Sequence, residues 1–219
     1  TLDDLYLQAS LFAGMKRFDR ARRIYRTLAM EFPNDIRARR GEADVEAWTE
    51  NYDLAIATYR SVLEQWPDDL QAKISLTQTL AWNKDSREAI KAGLNLLPDA
   101  EGVHRLKIWT AILESMAEIK TISADDQVVI MKAFGERKNF AHDAYFLERL
   151  AACLISTFDA DQAAPLVEQL VGMCSESKLL RTRYAQTLYK MGDFNEAAKH
   201  YEHLIANDSL PDDLKDRAD

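Results

Sequence analysis

Apolar residues along this chain fall at helical spacing, and the phrase they make returns every 34 residues. Residues 18–35 read FDRARRIYRTLAMEFPND, and residues 52–69 read YDLAIATYRSVLEQWPDD. Ala21, Ala55 and Ala89 lie 34 positions apart, and so do Ala163 and Ala197. Four residues beyond each alanine stand Tyr25, Tyr59, Gly93, Val167 and Tyr201; three further on come Leu28, Val62, Leu96, Leu170 and Leu204. A small residue, an aromatic at i+4 and an aliphatic at i+7 lay one apolar stripe along a helix, and the alanine admits a close neighbour. This is helix B of each unit. About twelve residues earlier, Ala9, Ala43, Thr77, Ala151 and Ala185 mark the middle of a second amphipathic stretch, helix A. The polar or glycine-bearing segments GMKRFD, TENYD, NKDS and KMGDFN have the length of turns that join antiparallel helices.

Two units close on an aromatic and a proline, FPND at 32–35 and WPDD at 66–69. Proline ends helix B, and the aspartate after it caps the next helix A. PDDLKDR at 211–217 repeats the signal of PDDLQAK at 67–73 and predicts that another unit starts at 211–219. Ala89 and Ala163 are separated by two periods plus six residues, so an irregular unit is expected over 102–140. Its helix A is VHRLKIWTAILESMAEIK, and Ser123 with Asp126 reads as the start of its helix B. The predicted fold is all-α, a right-handed α-solenoid of about six helix-turn-helix hairpins in one domain. Their spans are 1–34, 35–68, 69–101, 102–140, 141–175 and 176–210, and the fourth is degenerate.

These residues resemble the tetratricopeptide repeat, a helix-turn-helix unit with a small residue inside helix A, then alanine, an aromatic and a terminal proline. Units one, two and six carry the pattern most fully; Gly93 and Val167 replace the aromatic in units three and five. The resemblance implies a concave groove lined by the helix A side chains that packing leaves over. In unit two these are Arg37, Arg40, Asp44 and Trp48, and in unit three Gln71, Gln78 and Trp82. Unit five contributes Tyr145 and Glu148, and unit six Gln186, Tyr189 and Lys190. The co-chaperone type of groove holds an acidic tail with Lys, then Asn four residues on, in its first helix A. Tyr6 and Ser10 occupy those slots here, so that clamp is absent.

Trp48 and Trp82 stand one period apart, and their helices are expected side by side. Two readings are open. The indoles form an aromatic ladder for an apolar anchor, an arginine or a sugar face, or each packs into its own turn. Arg37 and Arg40, beside Arg39, have forked donors for carboxylates or phosphates. Glu42, Asp44 and Glu46 lie at helix-neighbour spacings, however, and mutual salt bridges are the stronger expectation. Glu46 occupies the position that holds Phe12, Leu80, Leu154 and Leu188 in other units, so its carboxylate needs a partner or solvent.

Composition adds constraints. Only 7 Gly and 5 Pro favour helices. The net charge of −8 is uneven: residues 1–40 carry nine Lys/Arg against five Asp/Glu, and the remainder 19 against 31. The acidic remainder disfavours nucleic acid, whereas the basic start suits an acidic partner. Cys153 and Cys174 form no CxxC pair, and no cofactor or metal is expected. Both are expected as unbonded core or near-core residues. His200 and His203 flank Tyr201 and Leu204 and are expected to face outward. Pro165 is expected in the first turn of its helix, with Asp161 as the cap. No run approaches the roughly 18 apolar residues that span a bilayer. Phosphate loops and HExxH or GxSxG motifs are absent, so no catalysis is expected.

The expected function is a non-catalytic scaffold that binds a partner protein or peptide in the groove. The Ala-Trp-x3-Tyr/Ser-x2-Ala phrase of units two and three also resembles repeats in the periplasmic arms of bacterial outer-membrane exopolysaccharide exporters, such as those of the Pel and cellulose systems. That resemblance implies a periplasmic rather than cytoplasmic array that recruits a polysaccharide-modifying enzyme or guides polymer toward a pore. A glycan-guiding surface for polysaccharide, or a structural spacer or self-association module, are the alternatives. Thr1 enters helical sequence without an initiator Met, and the chain is expected to be a segment of a longer protein.

Overall fold

The computed structural model describes residues 1–206; the unit expected to start at 211–219 lies outside them. Among the described residues are twelve α-helices, two short 3-10 turns and no strand. They fall into two compact units, Thr1–Ser115 and the residues from Met116 onward. The first holds α1 (Leu2–Gly14), α2 (Phe18–Glu31), α3 (Ile36–Trp48), α4 (Tyr52–Gln65), α5 (Leu70–Trp82), α6 (Ser86–Leu96) and most of α7 (Gly102–Ala117). The second holds α8 (Ala124–Gly135), α9 (Ala144–Thr157), α10 (Ala160–Met173), α11 (Lys178–Met191) and α12 (Phe194–Ala206). Within each unit a helix B packs on its own helix A and on the next one, and successive A helices also touch: α1 on α3, α3 on α5, α9 on α11.

The 34-residue register explains the core. Ala21, Ala55 and Ala89 in the first unit and Ala163 and Ala197 in the second are buried, as are Ala9, Ala43, Thr77, Ala151 and Ala185 on the A helices. These small residues let helix axes close to about 8–10 Å, and Tyr25, Tyr59, Val167, Leu28, Val62, Leu170 and Leu204 fill the space beside them. Gly93 takes the aromatic slot of hairpin three because α7 has claimed the room. A Cβ there would stand 2.7 Å from Ile112 Cγ1, and Ile108 and Ile112 are fully buried.

Helix ends follow the sequence signals. Asp35 accepts from the Arg37 backbone N–H at 3.0 Å and Asp69 from that of Ala72 at 2.6 Å. Asp143 and Ser177 cap α9 and α11 in the same way. Ser123 and Asp126 form a reciprocal capping box at the start of α8. Pro165 departs from expectation: α10 begins at Ala160 after Asp159, so the proline lies in its second turn. Asp161 is already helical, and Pro165 has no N–H with which to bond its carbonyl. The A–B turns place Lys16, Glu50 and Lys84 at φ of 57°, 62° and 66°, where hairpin six has Gly192 at 84°. A side chain in that left-handed conformation costs about 1 kcal/mol relative to glycine.

Candidate functional site

The expected groove residues of the first unit form two parallel stripes. Arg37, Arg40, Asp44 and Trp48 run along α3 at spacings of three or four, and Gln71, Gln78 and Trp82 along α5. The A helices that carry them are in contact. Both tryptophans remain partly open, Trp48 at 48% and Trp82 at 39% exposure. Each is held on one side by the aromatic that opens the preceding helix B. Trp48 lies 6.5 Å from Phe18 and Trp82 6.3 Å from Tyr52, centroid to centroid. The aromatic partner thus comes from the start of the previous hairpin's helix B, one repeat back. Helix A ends level with the start of the neighbouring helix B, which brings these rings together.

The charged residues of the stripes are bound to the fold, with partners other than those expected. Arg37 donates to Asp3 on α1 and to Asp35, both at 2.8 Å, while its guanidinium lies 4.2 Å from the Tyr6 ring centre. The Arg37 hydrogen bond holds the Asp35 carboxyl below the usual carboxylate range. Arg40 grips both oxygens of Asp69, the cap of α5, at 3.0 and 3.1 Å. Glu42 is taken by Arg26 at 2.8 Å. Glu46, only 3% exposed, accepts from Arg22 Nε at 2.8 Å and from Asn51 Nδ2 at 2.9 Å. In place of the expected bridges from Arg37 and Arg40 to Glu42, Asp44 and Glu46, Arg37 pairs with Asp3 on α1 and with the cap of its own helix, and Arg40 with the cap of α5. Glu42 and Glu46 are taken by α2; α1, α2 and α5 pack against α3 and bring these opposite charges to it.

Asp44 belongs to a feature that the sequence reading missed. Tyr59 donates its hydroxyl to Asp44 Oδ1 at 2.5 Å, and one repeat earlier Tyr25 and Ser10 meet at 3.2 Å. In both of these hairpins the aromatic of helix B reaches the residue after the small one of helix A, a pairing that the register alone could have revealed. Burial raises the Asp44 carboxyl above its ordinary range, opposed by the Tyr59 hydrogen bond and the charges of Arg40 and Lys107. Burial and the adjoining carboxylate likewise push the Tyr59 phenol up.

Gln78 is half-buried and makes no hydrogen bond within the described residues, whereas Gln71 donates to Ser75 at 3.4 Å. In the second unit Glu148 accepts from the Ser177 hydroxyl at 2.6 Å and so serves α11. Tyr145 is 45% exposed with the Arg149 guanidinium 4.8 Å from its ring centre. Gln186, Tyr189 and Lys190 are exposed, and Tyr189 makes an edge contact with Phe194 at 5.2 Å. His200 departs from expectation, since its ring packs edge-on to Tyr184 at 4.9 Å and faces α11. Burial and the nearby Arg181 lower its pKa. Burial pushes the Cys153 thiol up to about 12, and neither Cys153 nor Cys174 is joined in a disulfide among the described residues. Among the described residues no group of three or more His, Cys, Asp or Glu side chains is placed to hold a metal ion. No helix among them is long and apolar enough to cross a membrane.

Family models described as tetratricopeptide repeat match residues 6–70 and 180–209, so the chain carries such repeats in both units. No curated protein sequence matches it. Among solved structures it is similar to a tetratricopeptide repeat protein from Parabacteroides merdae, with TM-score 0.71 and 10% identity over 96% of this chain and 80% of that one. It is similar also to Naa15/Naa10 bound to HypK-THB, with TM-score 0.56 and 16% identity over all of this chain and 33% of that one. The MamA RS-1 ArsTM double mutant gives TM-score 0.51 and 13% identity over 94% and 93%. At such identities the likeness concerns the fold. Proteins built from these repeats are generally non-catalytic scaffolds for protein interaction. These comparisons give no support to the likeness with exopolysaccharide exporters.

Proposed function

We propose that the chain is a non-catalytic scaffold whose helix A face in hairpins two and three receives a peptide or loop of a partner protein, with Trp48 and Trp82 as its anchors. One observation carries this reading. The two indoles are fixed from behind by Phe18 and Tyr52, yet they keep 48% and 39% of their surface open one repeat apart. An aromatic already held in place loses little freedom on binding, which is why tryptophan is prominent among residues that dominate interface energy. Gln78, four residues before Trp82 on the same helix face, offers an amide donor and acceptor beside it. Arg37 and Arg40 shape the floor and join neighbouring hairpins through the carboxylates they hold, and Asp44 is occupied by the Tyr59 hydroxyl of its own hairpin.

A displayed library of random peptides selected on the folded chain supplies the test. Selected peptides measured by fluorescence anisotropy should lose about thirtyfold or more in affinity against Trp48→Ala/Trp82→Ala, the scale of a two-anchor hot spot. Equal binding to the double variant refutes the reading. Binding of linear glucan oligosaccharides that depends on both tryptophans and not on salt would favour a glycan-guiding surface instead. Concentration-dependent mass without peptide binding would favour self-association.

A further inference from the structure

The turn between α1 and α2 lies beside a surface hollow of about 590 Å³ with a different character from the helix A face. Lys16, Arg17, Arg20 and Arg23 line it, and all four are exposed. None of them has an ion-pair partner among the described residues. Arg20 rests over the Phe12 ring at 5.4 Å, and Arg23 donates only to the Asp19 backbone carbonyl at 3.3 Å. Asp19, the one carboxylate of the lining, is bound to Arg22 at 3.1 Å. Arg22, Arg26, Arg37, Arg40 and Arg60 each hold a carboxylate, whereas these four cations, gathered at the α1–α2 turn and the start of α2, hold none. Arg17, Arg20 and Arg23 recur every third residue and project from one side of α2. Arg17 occupies the N-cap of α2 without a side-chain cap bond, so the positive end of that helix adds to the field. Phe18 lies in the hollow with the half-exposed Trp48 against it, giving the basic cluster an apolar edge.

We propose that this hollow is a second docking site, adjoining the helix A face at Trp48, for a short acidic segment of a partner protein. Carboxylates would engage the arginine forks, and one apolar side chain would rest on the Phe18–Trp48 edge. The occupant follows from charge and size. Guanidinium groups pair carboxylates through two parallel hydrogen bonds, and a hollow of this volume takes a few side chains. A peptide meets only the local field, since charges beyond about 8–10 Å are screened at physiological salt. A long nucleic acid would run onto the rest of a chain whose net charge is −8.

The probe is a fluorescein-labelled peptide of glutamates flanking a single leucine, with a glutamine peptide of the same length as control, followed by anisotropy at low and physiological salt. The glutamate peptide should bind, the glutamine peptide should not, and added salt should weaken binding. Arg17→Glu/Arg20→Glu/Arg23→Glu should cost about tenfold or more in affinity, and the corresponding glutamine triple variant a smaller loss. Unchanged circular dichroism is expected, because the only contacts these side chains make, Arg20 over Phe12 and Arg23 to the Asp19 carbonyl, are at the exposed surface. Gln78→Ala/Trp82→Ala, which removes groups of the helix A face, should leave glutamate-peptide binding intact, so this site and that face can fail separately. No binding at low salt, equal binding of the glutamine peptide or indifference to the arginine reversals overturns the proposal. Tighter binding of a single-stranded oligonucleotide, or a dimer that the reversals dissociate, assigns the hollow to another occupant and overturns it equally.

Discussion

Replacing Arg22 with alanine should destabilise the first unit because it strands a buried charge. Glu46 is 3% exposed, with Arg22 Nε at 2.8 Å, Arg22 Nη2 at 3.3 Å, Asn51 Nδ2 at 2.9 Å and the Arg26 guanidinium 3.6 Å away. Removing one partner of a buried ion pair costs about 3–5 kcal/mol. Asn51 and Arg26 remain and recover part of that, so a loss of about 2–4 kcal/mol is expected. Glu46→Leu, by contrast, installs the residue type that Leu80, Leu154 and Leu188 supply at this position, and it removes the charge itself. Arg22 keeps Asp19 at 3.1 Å and access to water, so this change should fall within about 1 kcal/mol of neutral. Arg22→Ala/Glu46→Leu should then be more stable than Arg22→Ala alone, with a coupling of about 2 kcal/mol or more. Urea unfolding followed by tryptophan fluorescence isolates the relevant unit, since all four tryptophans, Trp48, Trp66, Trp82 and Trp109, lie within Thr1–Ser115. A loss below about 0.5 kcal/mol for Arg22→Ala, the scale of an exposed salt bridge, or a simply additive double variant, refutes the picture of Glu46 as a buried carboxylate dependent on Arg22.

Gly41→Ala should lower stability despite a gain of about 1 kcal/mol in helix propensity, because a Cβ there falls 2.6 Å from Tyr25 Cζ and overpacking costs about 1–3 kcal/mol; Gly172→Ala, with nothing within 4 Å, should raise it in the same urea assay read by circular dichroism. Pro165→Ala should stabilise the second unit by about 1–3 kcal/mol by restoring a helix N–H in the second turn of α10, and an unchanged midpoint would contradict the placement of that turn. His200 has a lowered folded-state pKa, so the unfolded chain takes up protons first as pH falls. The stability it contributes is present above the unfolded value of about 6.5 and is lost as pH falls through the lower folded value. Proton NMR should place its titration midpoint below that of unfolded histidine, and His200→Gln should flatten the acid side of the melting profile.

The parts of the fold legible in the sequence are those that a helix writes along itself. The alanine stripes, the caps at Asp35, Asp69 and Ser123, and the turns needed no knowledge of neighbouring elements. Ion-pair partners did. Arg37 pairs with Asp3 across 34 residues, Arg40 with Asp69 across 29 and Arg60 with Glu88 across 28. These separations approach one repeat, so the candidates were visible only by comparing adjacent copies of the register, whereas spacing along one helix pointed to Glu42, Asp44 and Glu46. Pro165 and His200 went astray for a related reason. The start of α10 depended on Ala160 joining the helix before the acidic residue chosen as its cap, and the orientation of His200 depended on Tyr184, a residue of another helix.

The same geometry separates two kinds of polar residue that look alike in the sequence. On the helix A face of α3 the cations have been consumed: Arg37 and Arg40 fasten caps and neighbouring helices, and what stays open there and on α5 is Trp48, Trp82 and an amide. Binding at that face, as proposed, would rest mainly on apolar contact and hydrogen bonding, which salt screens weakly. At the α1–α2 turn the arginines of the hollow hold no carboxylate, so binding there would carry the full sensitivity of exposed charge. Salt dependence therefore serves as a label. A partner whose affinity survives high salt and falls with Trp82→Ala occupies the helix A face, and one whose affinity vanishes with salt and with Arg20→Glu occupies the turn. A partner that shows both losses spans the two through Trp48, the residue that borders each.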